Sequence, residues 1–127
     1  MGEGMSDISF PFILMIHYVA DFRMQSRHIA ETKSKSNKSL SIHVLLYVAT
    51  FLIAGLVHFV TGNNVDVWKF AEYVIINGLL HWLTDYITSR ETTKAYQNGD
   101  MEKFWNIIGF DQLIHGVTLY MTWEILK

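Results

Sequence analysis

The stretch LSIHVLLYVATFLIAGLVHFVTG most constrains what this chain can become. From Leu40 to Thr61 it holds about 22 residues without a formal charge, enough for a helix to cross a hydrocarbon core of about 30 Å. No polar stripe runs along it to face water, as one would on the surface helix of a soluble domain. TGNN then ends it, as Gly and Asn do. Any architecture has to cover an apolar rod of this length with lipid or with other helices.

Three further apolar blocks flank it. The first, ISFPFILMIHYVADFRMQSRHIAE, has a purely apolar part that is short, Ile8 to Ile16, and needs Val19, Phe22 and Met24 on one face to reach spanning length. Ser6 or Ser9 can cap its start, with Pro11 in the first turn. The third, VWKFAEYVIINGLLHWLTDYI, carries Lys69 and Glu72 near its beginning, and the fourth is FWNIIGFDQLIHGVTLYMTWEIL. The pattern predicts an all-α chain of one domain, 1–127, with helices at about 8–29, 40–61, 67–89 and 104–126. It reads as a four-transmembrane-helix bundle made of two weakly repeated hairpins. The alternative is a soluble four-helix bundle with a greasy surface. Only 17% of the 127 residues are charged, below the usual ~25%, which favours the membrane. Trp68, Trp105 and Trp123 lie near block ends, where interfacial aromatics sit.

The polar loops set the expected orientation. TKSKSNKS and SRETTKAYQNGDME contain most of the basic residues outside the blocks, whereas TGNNVD has none before Lys69. Arg23, Arg27, Lys33, Lys35 and Lys38 place the first and third loops in the cytoplasm and both termini outside, in an inner (cytoplasmic) membrane. The acidic start MGEGMSD is unlike a signal peptide. A net charge of −2 gives no reason to expect nucleic acid as a partner, and the absence of cysteine excludes disulfides and thiolate metal ligands.

Inside the apolar blocks a polar unit repeats. HYVADF at His17 is answered by HWLTDY at His81, each His-x-x-x-Asp-aromatic, and GFDQLIHG carries the same spacing reversed, Asp111 to His115. Four residues place two side chains on one helix face, a turn apart. His17, Asp21, His81 and Asp85 come late in their helices, and His43 and Asp111 early in theirs. Antiparallel neighbours therefore bring them to one level near the basic loops, with His115 a turn deeper. Seven donors can meet in one cavity: His17, Asp21, His43, His81, Asp85, Asp111 and His115. Imidazole plus carboxylate suits a divalent transition metal such as zinc, manganese or iron. Seven exceed one tetrahedral set, so two ions, or one ion with acid/base groups (Asp21, Asp85, Asp111), fit the count. Arg23, Gln25, Asn77 and Gln112 are candidate contacts to substrate or to the ligands. Neighbouring Arg27, Lys33 and Lys35 would attract an anionic lipid or another phosphoester. The expectation is a metal-dependent hydrolase. The alternatives are interhelical hydrogen bonding as structural glue, an ion or proton path, a non-enzymatic carrier or phage-type membrane effector, and a structural subunit of a larger assembly. The small size suggests homo-oligomers. His58 lies about 22 Å along the helix from His43, outside the cluster. No glycine-rich phosphate loop, nucleophile elbow or zincin motif occurs.

Through HYVADFRMQ, ETKSKS, LSIHVLLY, HWLTDY and FDQLIH, the chain resembles the domain-of-unknown-function 3307 family, small multi-pass proteins of bacteria and phages. The resemblance runs from about Phe10 to Tyr120. It implies the membrane fold and the positions His17, Asp21, Phe22, Gln25, Lys33, His43, His81, Asp85, Asp111, Gln112 and His115. A Lys that the family often places after the third-helix Asp-aromatic pair is replaced here by DYITSR, with Thr88 and Arg90. More distantly, the pattern resembles membrane proteins grouped as metal-dependent hydrolases.

Overall fold

The computed structural model describes residues 8–127, so the Ser6 alternative and the acidic start lie outside the described residues. All regular structure among them is helical: α1 (Phe10–Tyr18), a π-helical turn (Val19–Arg23), α2 (Arg27–Thr32), α3 (Asn37–Val60), α4 (Val67–Gln97) and α5 (Met101–Leu126).

Each helix starts where a short polar side chain satisfies a free backbone N–H. Ser9 caps α1, with Pro11 in the first turn, Ser26 caps α2 and Ser36 caps α3. Asp66 caps α4 by accepting from Trp68 N and Lys69 N, and Asp100 caps α5 by accepting from Lys103 N. Just past α3 and α4, Gly62 and Gly99 take positive φ (90° and 72°), a conformation that lets the chain reverse at little steric cost.

The expected first helix, 8–29, is not one rod. After Tyr18 the backbone widens into the π-turn, Met24 N bonds to Val19 O, and the chain breaks before Ser26 restarts it as α2. A π-turn adds a residue to the turn and rotates the chain beyond it, here at the level of Asp21. The third helix runs to Gln97 rather than ending near 89. Its polar tail SRETTKAYQ extends the helix beyond the apolar pattern that predicts the earlier end. The second and fourth begin three residues earlier than expected, at their caps.

Helix α4 is central, packing against α3 and α5, while α1 and the π-turn pack against α3, α1 also touches α5, and the π-turn reaches α5 through the Gln112–Asp21 hydrogen bond. Neighbours are antiparallel: Gly55 of α3 meets Phe70 of α4, Gly78 of α4 meets Val48 of α3, and Asp85 of α4 reaches His115 of α5. A Cβ on Gly55 would lie 2.2 Å from the Phe70 ring, and one on Gly78 2.6 Å from Val48 Cγ2. These glycines allow α3 and α4 to approach closely. An apolar cluster including Ile13, Phe51, Phe70, Tyr73, Leu119 and Trp123 fills one end. Trp123, expected at an interface, is instead buried edge-on against Tyr73, whereas Trp68 and Trp105 are exposed.

By length and composition, α3 alone among the described helices qualifies as a membrane span. The interior of α4 explains why it falls short: Asn77, His81, Asp85 and Thr88 are buried, while Ile75, Leu79, Leu83 and Ile87 point outward and are exposed. On α5 the exposed stripe is Leu113, Val117, Met121 and Ile125. Around His81, Asp85 and His115 both helices are polar inside and apolar outside, the reverse of the pattern in a soluble bundle, while Phe70, Tyr73 and Val74 of α4 and Leu119 and Trp123 of α5 are buried toward the other end.

Candidate functional site

Spacing of four does its work on three helices. His17 and Asp21 leave α1 and the π-turn, His81 and Asp85 leave α4, and Asp111 and His115 leave α5, while His43 comes from the second turn of α3. All are buried except Asp111, which is half-buried. The structure brings all seven into one network.

Four atoms of this network converge. His43 Nε2 lies 3.0 Å from His81 Nε2, 3.1 Å from Asp21 Oδ1 and 3.4 Å from Asp85 Oδ2. His81 Nε2 lies 3.4 Å from Asp21 Oδ1 and 3.8 Å from Asp85 Oδ2. A tetrahedral ion with bonds of about 2.0–2.2 Å needs donor–donor edges of about 3.3–3.6 Å, and these five edges bracket that value. Two imidazole nitrogens and two carboxylate oxygens bring only lone pairs and negative charge to that point, unless protons or a cation separate them. A second group, Asp21, Asp111 and His115, also lies within 4.8 Å and shares Asp21 with the first.

The surrounding hydrogen bonds sort the other donors. The Tyr47 hydroxyl donates to His17 Nδ1 (3.1 Å), His17 Nε2–H donates to Gln112 Oε1 (3.2 Å), and the Gln112 amide donates to Asp21 Oδ2 and Asp111 Oδ2 (3.0 Å each). That assignment satisfies each atom once. His81 Nδ1–H donates to His115 Nδ1 (3.2 Å), which leaves His115 Nε2–H to donate to Asp85 Oδ1 (3.0 Å), with Asp111 Oδ2 at 3.4 Å. With these tautomers His81 presents a lone pair to the four-atom point and is oriented from behind, as ligand imidazoles are. His43 Nδ1 is buried with no hydrogen-bond partner among the described residues. Tyr47 also stacks flat on His81, centroids 4.2 Å apart.

Above the donors opens a cavity of about 640 Å³, with Asp21, Asp85, Asp111 and Gln112 in its lining. Among the described residues no imidazole lines it, so a ligand entering there meets carboxylates first, with the histidines behind them. Its walls combine hydroxyls (Ser34, Thr88, Ser89, Thr92, Thr93) with Phe22, Tyr96, Phe104 and Ile108. Lys33 projects into it from the turn between α2 and α3 and pairs with Asp85 Oδ2 at 2.9 Å. Burial works against this ammonium, but Asp85 foremost, with Asp21 and Asp111 beyond it, outweighs that and raises the Lys33 pKa.

The remaining sequence candidates separate. Gln25 lines the cavity, and its Oε1 is buried without a partner among the described residues. Asn77 donates to Tyr73 O and to Thr122, a turn away from the donors. Arg23 is exposed on the π-turn and outside the cavity lining. His58 is remote, its ring 5.4 Å from that of Phe12. Sequence reasoning missed Tyr47, the Lys33–Asp85 pair and Thr88, whose hydroxyl donates to Asp111 Oδ1 (2.5 Å). Only Thr88 carried a signal, close to one turn beyond Asp85 on the same face.

A family model described as protein of unknown function (DUF3307) matches residues 10–127. No curated protein and no solved structure matches the chain.

Proposed function

The chain belongs to the DUF3307 family, and from its own site we propose that it is a membrane-embedded, metal-dependent hydrolase acting on a phosphoester, with an anionic lipid as the favoured substrate class. The observation that carries this reading is the four-atom point formed by His43, His81, Asp21 and Asp85, whose edges suit a divalent ion. Zinc, manganese and iron all accept this donor chemistry. A divalent ion held there would supply Lewis-acid chemistry and activate water.

The chain's own residues do the rest. Asp21 and Asp85 would hold the ion, with His43 and His81 behind them. Gln112, fixed by His17, aligns Asp21 and Asp111. His115, between Asp85 and Asp111, is placed to hold a proton. A floor of three carboxylates repels a phosphate unless a cation intervenes, and Lys33 is the only ammonium paired with it among the described residues. The apolar and hydroxyl walls suit an ester with a polar head and a greasy remainder.

The membrane part of the proposal is supported by the inverted helices. A lipid environment covers Leu79, Leu83, Val117 and Met121, and the costly polar residues face inward, as intramembrane ionisable groups do. In that frame the cavity opens beside the basic turn Lys33–Lys38, at the cytoplasmic face by the charge rule, with both termini outside. Copies could associate through the same apolar faces.

The test is metal analysis of detergent-purified protein, followed by phosphate release from phosphatidate vesicles and from p-nitrophenyl phosphate. Bound transition metal and release abolished by chelator and by Asp21→Asn are expected. Protein that binds no divalent metal would sink the hydrolase.

A further inference from the structure

Lys33 lines the cavity alongside the donor carboxylates. Its Nζ lies 2.9 Å from Asp85 Oδ2, the same oxygen that lies 3.4 Å from His43 Nε2 and 3.8 Å from His81 Nε2. An ammonium and a divalent ion at the four-atom point would therefore share one carboxylate oxygen, and like charges a few ångströms apart in a partly buried site repel strongly. The other oxygen of Asp85 already accepts from His115.

The lysine can leave. It sits on a turn, and its four-carbon stem ends in the cavity rather than in packed core. The turn is held independently: Lys35 N–H and Ser36 N–H close on Thr32 O, Thr93 donates to the Ser34 hydroxyl and Arg90 to the Asn37 side chain. Moving the side chain need not move the fold.

The cavity holds places for an anion to settle beside it. Ser89 Oγ is buried with no partner among the described residues and lines the same cavity. Ser34, also in that lining, accepts from Thr93 and so keeps its own hydroxyl proton to give.

We propose that Lys33 is an exchangeable counter-ion: it competes with the divalent metal for Asp85 Oδ2, and metal loading releases its ammonium into the cavity to hold the phosphate group of the substrate. This rests on the metal-site reading above. It couples the two binding events, since a carboxylate that has taken the metal frees the cation that the anionic substrate needs. The coupling is reciprocal: phosphate in the cavity draws Lys33 off Asp85 and tightens metal binding.

Titration of the detergent-solubilised protein with Co(II), by calorimetry and visible absorption, tests it without an activity assay. Lys33→Met should bind Co(II) about tenfold or more tightly than the wild type, and Lys33→Arg, which keeps the charge, should stay within about threefold of it. In the Co(II)-loaded proteins, inorganic phosphate should bind the wild type and bind Lys33→Met about tenfold or more weakly. Equal Co(II) affinity in wild type and Lys33→Met overturns the counter-ion proposal and leaves the metal site standing. Absence of Co(II) binding in both proteins overturns the metal site and the proposal with it. Helical circular dichroism of each variant establishes that it is folded.

Discussion

The same three long helices build two unlike ends. Near the turn between α2 and α3 their facing positions are His43, His81, Asp85 and His115. Toward the opposite end the facing positions are Phe51, Gly55, Phe70, Tyr73 and Trp123. One end is a cluster of donors joined by hydrogen bonds, and the other is an apolar core locked by glycine contacts. The contrast divides the labour. Packing without polar groups holds the helices in register, and that register brings groups together that would otherwise repel or stay hydrated. The donor end gains little stability from its own contacts, because buried polar clusters recover in hydrogen bonds roughly what they lose in desolvation.

The largest expected effect comes from breaking the donor end alone. The double change His43→Leu with His81→Leu removes both imidazoles from the four-atom point. Asp21 keeps the Gln112 amide, and Asp85 keeps Lys33 and His115. Co(II) affinity should fall about a hundredfold or more, equivalent to about 2.7 kcal/mol, while the thermal midpoint in detergent stays within a few degrees. A midpoint that collapses together with the affinity would make the cluster structural glue instead.

Breaking the apolar end should do the converse. In Gly55→Ala the new Cβ meets the buried Phe70 ring at 2.2–2.5 Å, too close unless the packed ring or the helix that carries it shifts. Overpacking of this kind costs about 1–3 kcal/mol, read as a lower unfolding midpoint by circular dichroism. Co(II) affinity should change less than about threefold, because the donors lie several turns away along the same helices. A loss of affinity as large as that of the double histidine variant would show that the two ends are not separable.

The two ends are also unequally legible in the sequence. The His-x-x-x-Asp units fix their side chains on one helix face whatever the tertiary context, and alternating helix direction then sets their depth. That logic identifies His17, Asp21, His43, His81, Asp85, Asp111 and His115, and the structure places them together. Which of them converge on a point is not readable, since that depends on side-chain tautomers and on the π-turn rotating Asp21, and i→i+5 bonding leaves no periodic mark in VADFR. From its chemistry Lys33 reads as a topological charge and a lure for anions, and the family resemblance marks the position without giving it a partner, because a turn residue has no fixed face. Gly55 and Gly78 look like ordinary members of apolar blocks, since a close approach is a property of two helices and not of one. The all-helical class is clear from the block pattern, whereas the expected α4 boundary fails because hydrophobicity, not helix formation, stops at residue 89.

Tyr47 sits at the boundary and gives the finest test of the division. Its ring stacks on His81 with centroids 4.2 Å apart and tilts against Phe51 at 4.9 Å, and its hydroxyl donates to His17 Nδ1. The side chain therefore belongs to the apolar core by its ring and to the donor network by one oxygen. Tyr47→Phe keeps the ring contacts and removes only the hydrogen bond, which should cost about 0.5–1.5 kcal/mol. Because His17 is absent from the four-atom group, Co(II) affinity should change by less than about threefold. The imidazole should respond instead: with Nδ1 no longer accepting a proton, the preference for the Nε2–H tautomer weakens, visible in the ¹⁵N shifts of His17. If those shifts stay fixed, Gln112 alone sets the tautomer. If Co(II) affinity falls tenfold, His17 is a ligand and the metal point must be redrawn around Asp21 Oδ2, where the His17 Nε2 already stands at 3.8 Å.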